Sequence, residues 1–202
     1  MVIDPGLDHL VYATPDLAAS VAEIAGRTGV APVEGGPHVG LGTRNHLLGL
    51  GGRAYLEIVG PDPGQPAPER PRPFGIDDLA APALVAWAVA VEDIDGRVAR
   101  ARAAGFDPGD AVPMARRRPD GVLLEWRLTP VRTGAVPFLI DWGRTEHPAA
   151  ALPVVPLRTF RIVDPEPARV RAPLGALGVA ADLRAGERPA LRAEIGDGLV
   201  LE

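Results

Sequence analysis

The sequence predicts an α+β fold built from two consecutive βαβββ modules, with a partial third module at the C-terminus. The stretch "LVYATPDL" at residues 10–17 returns at 87–94 as "WAVAVEDI", in each case an apolar strand that runs into a helix start. Each copy is followed by an amphipathic helical pattern and then by strand-like sequence. We therefore expect the two halves of the chain to fold alike.

Module one covers residues 6–61. Its helix is expected to begin after Thr14 and Pro15, because a capping hydroxyl followed by proline in the first turn is typical of a helix start. The helix is expected to end at Gly29, where "GVAP" combines a terminal glycine with a following proline. The strand-like segments "RNHLLGLG" and "RAYLEIVG" complete the module.

A proline-rich connector, residues 61–82, separates the modules and is expected to be extended, because its prolines exclude a helix or a central strand. Module two covers residues 83–143, with a helix that ends at "GFDP" and strands in "GVLLEWRL" and "VPFLIDWG". Residues 149–202 repeat the pattern weakly and predict a partial βαββ extension packed on the sheet edge of the same unit.

Composition restricts the kinds of site that this chain can build. It has 202 residues, of which 47% are hydrophobic, enough for one compact unit or two small ones. There is no cysteine, and all 21 basic residues are arginine, so thiolate zinc sites, cysteine nucleophiles and lysine Schiff bases are excluded. Ser20, the one serine, lies in a helical pattern rather than a nucleophile elbow.

Charge and hydropathy indicate the expected surroundings. The net charge of −5 and the scattered arginines argue against a nucleic-acid partner, and the run Arg116 to Arg118 is expected to be a solvated turn. No apolar run is long enough for a membrane span and no signal peptide is recognisable, which favours a cytoplasmic protein without a membrane partner. The alanine, arginine, glycine and proline bias is typical of a GC-rich, bacterial-like genome.

Three ionisable residues stand out on the predicted strands: His9, Glu57 and Asp141. Because strand residues alternate between faces, each of the three lies opposite the face that is expected to pack on a helix. If the opposite faces line one concave surface, the three side chains converge there. An imidazole and two carboxylates suit a divalent metal.

Several quoted segments carry a family resemblance: "DHLVYATPDL", "GGPHVGLGTRNHLLGLGGRAYLEIVGPD", "PFGIDDL", "LEWRLT" and "PFLIDWG". They resemble the glyoxalase-like branch of the vicinal oxygen chelate superfamily, which includes glyoxalase I, extradiol dioxygenases and bleomycin-resistance proteins. The resemblance implies a glyoxalase-like domain over residues 1–148, with the glyoxalase/bleomycin resistance/dioxygenase fold. Its paired modules would form an incomplete barrel with a central groove for metal or ligand.

The superfamily usually places one His or Glu ligand on the first and on the last strand of each module. This implies His9 and Glu57 as metal ligands in module one and Asp141 as the closing ligand of module two. Aligning the two helix starts puts Ala86 where His9 would repeat, so one ligand is missing. The implied cofactor is a divalent ion (Zn, Ni, Mn, Fe or Mg), or none.

Other residues are candidates for binding a substrate. Most of the candidates named below also have a purely structural explanation. Thr and Asn of the glycine-rich segment would cap the backbone of their own hairpin, the alanines would allow close sheet packing, and the charged residues would form surface ion pairs. His38, in the glycine-rich loop, is expected to be exposed. The substrate-binding candidates are Thr43, Asn45, Tyr55, Ala86, Ala88, Glu125 and Arg127.

Two functions fit these residues. One is a metal-dependent lyase, isomerase or dioxygenase that acts on a substrate with adjacent oxygens, with Glu57 or Asp141 as catalytic base. The other is a metal-free protein that sequesters a small molecule, as antibiotic-resistance members of the superfamily do. Glyoxalase I activity itself is not expected, because an alanine replaces a ligand. The expected partner is a small molecule, and the chain is expected to be a monomer or a homodimer.

Overall fold

The computed structural model describes residues 3–118 and 120–202, and it confirms the α+β fold with two βαβββ modules. Module one consists of five elements: β1 (Leu7–Ala13), α1 (Leu17–Thr28), β2 (Val33–His38), β3 (Thr43–Gly51) and β4 (Ala54–Pro61). Module two follows the same order: β5 (Ala83–Ala90), α2 (Ile94–Ala103), β6 (Val112–Arg117), β7 (Leu123–Leu128) and β8 (Phe138–Asp141).

The two helices begin in the same way. The cap of α1 is Asp16 and not the expected Thr14: Asp16 accepts a hydrogen bond from the Ala19 amide at 3.0 Å, so Pro15 precedes the helix instead of lying in its first turn. Asp93 caps α2 by accepting a hydrogen bond from the Gly96 amide at 2.9 Å. Helix α1 ends at Gly29, whose left-handed φ of 70° is accessible to glycine without strain. The repeat seen in the sequence is therefore a repeat of capping chemistry as well as of hydrophobic pattern.

The eight strands of both modules form one sheet in the order β2-β3-β4-β1-β5-β8-β7-β6. The antiparallel pair β1 and β5 joins the modules at its centre. The sheet curls until the edge strands β2 and β6 approach each other, and an Arg116 to Asn45 hydrogen bond of 2.6 Å crosses this seam. The result is a nearly closed barrel.

Strand alternation divides the apolar residues between two cores. Leu10, Leu56 and Ile58 face outward to the helices and belong to the larger core. Residues on the opposite face of the strands point into the barrel interior and form the smaller core. This core contains Val11, Val59, Ala86, Ala88, Phe138 and Ile140.

The C-terminal segment forms a second sheet of four strands. Its elements are β9 (Leu157–Asp164), α3 (Pro167–Leu177), β10 (Asp182–Ala185), β11 (Ala190–Ile195) and β12 (Leu199–Leu201). The sequence predicts only βαββ here, with "ALRAEI" and the terminal "GLVLE" as the last two strands, and the structure adds the four-residue β10 between the helix and "ALRAEI". The strand order β10-β9-β11-β12, with β9 parallel to β10, also differs from that of the two modules.

This second sheet packs on the outer side of the barrel. Trp87 on β5 meets Phe160 on β9 edge-to-face at 5.2 Å between ring centroids. Arg97 on α2 donates a hydrogen bond of 2.6 Å to the Leu177 carbonyl at the end of α3. No helix within residues 3–118 and 120–202 has the length and hydropathy to cross a membrane.

Candidate functional site

The barrel interior contains a cavity of about 120 Å³. One part of its lining, the apolar wall, includes four aromatic side chains, and the other part, the polar end, is polar. The apolar wall includes Phe74, Met114, Trp126, Leu128, Phe138, Ile140 and Trp142. The polar end consists of His9, His38, Asn45, Tyr55, Glu57 and Arg116.

The polar end begins with two adjacent residues of β1, Asp8 and His9. Strict alternation would point them to opposite faces, but the register between β1 and β5 shifts between Leu7 and His9. Such a bulge inserts one residue into the strand and redirects side chains. As a result, Asp8 and His9 are both buried, and His9 Nδ1 donates a hydrogen bond of 2.6 Å to Asp8 Oδ1.

Asp8 is completely buried and accepts hydrogen bonds from three nitrogens. Besides His9, Trp142 Nε1 donates to Asp8 Oδ2 at 2.8 Å, and His147 Nε2 donates to the same oxygen at 2.9 Å. His147 Nδ1 accepts from the Ala149 amide at 3.2 Å, so His147 is neutral with its proton on Nε2. Burial by itself raises the pKa of Asp8, but the hydrogen bonds from His147 and His9 outweigh it and lower the pKa to about 2.

His9 is held in one orientation by its neighbours. Its ring stacks on Tyr55 at 4.8 Å between centroids and meets the edge of Phe138 at 5.4 Å. Because Nδ1 is bound to Asp8, the other nitrogen, Nε2, is the one available to the cavity. It lies 3.7 Å from Glu57 Oε2. His9 and Glu57 therefore lie on one surface of the barrel interior.

Glu57 is oriented by a hydrogen-bonded chain that crosses the seam. Arg116 donates to Asn45 Oδ1 at 2.6 Å, and Asn45 Nδ2 donates to Glu57 Oε1 at 2.6 Å. His38 Nε2 lies 3.6 Å from the same Glu57 oxygen, while His38 Nδ1 is within hydrogen-bond distance of Thr43 Oγ1 at 3.0 Å. Burial lowers the pKa of His38, and this effect outweighs the opposing effect of the Glu57 charge. The neutral form of the His38 imidazole is therefore favoured.

Two backbone features make room for this arrangement. A side chain on Gly35 would bring a Cβ to 2.5 Å from an Arg116 nitrogen and closer still to Asn45 Oδ1, so only glycine leaves space for their contact. Phe74, in the connector, has a φ of 62°, which is strained for a bulky residue. In this conformation its side chain lines the cavity.

Asp141 does not join this site, so the predicted convergence of three ligands is wrong. Its carboxylate lies at the start of α2, where Oδ2 accepts from the Ile94 amide at 3.4 Å, and Oδ1 accepts from the Gly143 amide at 2.9 Å. On β8 the residues that face the cavity are Phe138 and Ile140. Alternation separated the two faces of β8 correctly but could not tell which one is inside.

The same reversal applies to β7. Glu125 and Arg127, expected in the groove, lie outside the barrel, where Arg127 forms a two-pronged ion pair with Asp95 at 2.7 and 2.9 Å. Trp126 and Leu128 line the cavity instead.

The remaining predicted binding residues fall into two groups. Asn45 and Tyr55 are at the cavity wall. Ala86, Ala88 and Thr43 are fully buried without lining it: the alanines pack in the inner core, and Thr43 contacts His38.

Four residues of the site were missed or misjudged at the level of sequence. Arg116 was expected in a solvated turn, yet it is only 8% exposed, because β6 closes the seam. His38 was expected to be exposed, but the end of β2 folds it over Glu57. Asp8 was hidden by the bulge, and no local pattern pairs it with His147, more than a hundred residues later.

The divalent metal that the resemblance implies does not fit these residues. Within residues 3–118 and 120–202, no group of three or more His, Asp or Glu side chains is arranged to hold a metal ion. Glu57 lies beside Val11 where β4 pairs with β1. In module two, β8 pairs with β5 in the same way, and Phe138 lies beside Ala88, the residue equivalent to Val11. Phe138 thus occupies the position equivalent to Glu57. Because Ala86 takes the position of His9, module two offers no ligand.

Comparison with known proteins agrees with this architecture. The family described as "Glyoxalase-like domain" matches residues 7–178, which confirms the resemblance seen in the sequence. No protein of curated function matches the chain.

Solved structures show similarity in fold. A hypothetical protein from Staphylococcus aureus superposes with a TM-score of 0.69 and 11% identity, over 95% of this chain and 92% of that one. Methylmalonyl-CoA epimerase from Mycobacterium tuberculosis has a TM-score of 0.45 and 20% identity, over 70% of this chain and 92% of its own. The similarity to the staphylococcal protein extends over nearly the whole chain.

Proposed function

Because the chain belongs to the glyoxalase-like domain family, we propose that it binds a small organic molecule in the barrel cavity and catalyses a proton transfer on it, as an isomerase or lyase, without a bound metal. The observation that carries this proposal is the buried Asp8–His9 pair, whose free imidazole nitrogen is available to the cavity.

His9 is the proposed general base. Asp8 holds the proton of Nδ1, which leaves the lone pair of Nε2 available to take a proton from a substrate carbon next to a carbonyl group. The ionised Asp8 then stabilises the imidazolium that forms, as the carboxylate does in other Asp–His pairs. Stacking on Tyr55 fixes the ring plane, so the base does not have to be ordered when a ligand enters.

Glu57 is the proposed second proton carrier. Its Oε2 lies 3.7 Å from His9 Nε2, so one ligand atom beside the pair can contact both groups. The amide of Asn45 holds the other oxygen, which leaves Oε2 for chemistry. The proton that His9 removes can pass to the Glu57 carboxylate, which then returns it to a different ligand atom, as an isomerisation requires.

A second candidate function, sequestration of a ligand without chemistry, has its own support. The cavity wall contains two tryptophans, Trp126 and Trp142, whose ring centroids are 5.3 Å apart. Such an aromatic wall provides apolar contact area for a ligand with or without a reaction.

Hydrogen–deuterium exchange distinguishes these two functions. The protein is incubated in D2O with a panel of small 2-oxo acids and branched carbonyl compounds, and the loss of the NMR signal of the C–H group is followed. We expect exchange on at least one compound, and a loss of about 10²–10⁴-fold in His9→Gln, as for removal of a general base. His46→Gln is the matched control, because His46 is on β3 but does not line the cavity.

Three results would count against catalysis. Binding without exchange on any compound would favour sequestration. Equal exchange in His9→Gln and the parent would remove His9 from the reaction. Near-stoichiometric divalent metal in the purified protein, lost in His9→Gln, would contradict the metal-free mechanism.

A further inference from the structure

We infer that the ligand of this cavity is a small carboxylate with a benzene-sized apolar body, and that Arg116 binds its carboxylate. This inference deepens the proposed function. It rests on the proposed function in one respect, because it takes the same cavity as the ligand site.

Arg116 is a buried cation without an acidic partner. It is 8% exposed, and within residues 3–118 and 120–202 no Asp or Glu oxygen lies within 4 Å of its guanidinium nitrogens. Glu57 interacts with Arg116 electrostatically, but the Asn45 amide stands between them, with one 2.6 Å hydrogen bond on each side. Taking a guanidinium out of water is unfavourable unless an anion is paired with it.

The guanidinium also retains free hydrogen-bond donors. Arginine has five N–H groups in a planar fork, and in the described part of the chain only Nη1 donates to a protein acceptor, Asn45 Oδ1. The rest of the side chain lines the cavity and is not sealed from it. A planar carboxylate matches such a fork, because two parallel N–H···O bonds form at once.

No other group of the site supplies a comparable charge. Burial keeps His38 towards its neutral form. His147 is neutral and bound to Asp8. Arg116 is thus the fixed positive charge at the polar end of the cavity.

The size and lining of the cavity define the rest of the ligand. Its volume of about 120 Å³ is close to the ~150 Å³ of an apolar protein cavity that holds benzene. Trp126, Trp142 and Phe138 surround this space, and flat apolar groups pack well against aromatic faces. A carboxylate attached to one ring or to a branched chain satisfies both ends.

A pair of probes tests the inference on the intact protein. Phenylacetate and phenylacetamide have the same shape and differ in charge, and their binding is measured at pH 7 by the fluorescence of the cavity tryptophans and by calorimetry. We expect phenylacetate to bind about tenfold or more tightly than phenylacetamide, and Arg116→Met to abolish that preference. Arg127→Met is the matched control, since Arg127 pairs with Asp95 outside the barrel and should retain the full preference.

Arg116→Lys provides a second variant in case the methionine variant is poorly folded. It keeps the charge but not the fork, and we expect it to keep part of the preference. Any of three results would overturn the inference. Phenylacetamide could bind as tightly as phenylacetate or more tightly, neither probe could bind to the parent protein, or Arg116→Met could keep the full preference. If phenylacetate binds as expected while no compound exchanges its C–H protons, only the proposed function fails. Exchange on neutral carbonyl compounds alone would leave that function standing and reject the carboxylate.

Discussion

The buried carboxylate of Asp8 provides the sharpest test of the site, through the dependence of stability on pH. In the folded protein its pKa is lowered from 3.8 to about 2, because hydrogen bonds from His147 and His9 outweigh the effect of burial. A carboxyl group whose pKa is lower when folded stabilises the protein above its unfolded pKa, and this contribution disappears as the pH falls through the folded pKa. The loss therefore falls between about pH 5 and pH 2.

The magnitude follows from the size of the shift. Nearly two pKa units correspond to about 2 kcal/mol of unfolding free energy. In Asp8→Asn the amide cannot accept from all three donors, and one or two buried N–H groups lose their partner. We expect the substitution to lower the unfolding free energy at pH 7 by about 2–4 kcal/mol, and by clearly less near pH 3.

Urea unfolding at pH 7 and pH 3, followed by tryptophan fluorescence, measures both quantities. The matched control is Asp95→Asn, which removes an exposed carboxylate paired with Arg127 and should change little. An Asp8→Asn variant whose loss of stability is the same at both pH values would refute the reasoning, since the charge of Asp8 would then not matter.

Two further predictions concern the seam and the support of Asp8. Gly35→Ala should displace Asn45 and weaken the preference for phenylacetate over phenylacetamide. Gly26→Ala is the control and should keep this preference, because a Cβ added there meets nothing within 4 Å. Equal preference in both variants would contradict the packing argument. Trp142→Phe keeps an aromatic ring but removes the N–H that donates to Asp8, and it should lower the unfolding free energy in urea by about 1–2 kcal/mol; an unchanged value would show that this hydrogen bond adds nothing.

The sequence predicts the parts of this protein that depend on local chemistry. The repeat places both helix starts, although the cap of the first is Asp16 and not Thr14, because capping involves residues only three positions apart. Alternation places His9 and Glu57 on one surface because both lie on strands of module one that pair side by side. The family resemblance rests on these same segments, so the fold class and four of the six residues at the polar end of the cavity are contained in short stretches of sequence.

Only the tertiary structure decides how the second module completes the site. Alternation assigns Asp141 and Arg127 to a face but does not say which face is inside, and the curl of the sheet places both outside. The same curl brings Arg116, on an edge strand, across the seam to Asn45. A bulge turns Asp8 inward to meet His147 from beyond the last barrel strand. Sequence thus determines the repeating unit, whereas closure of the barrel determines which charges become buried, because burial depends on contacts between distant strands.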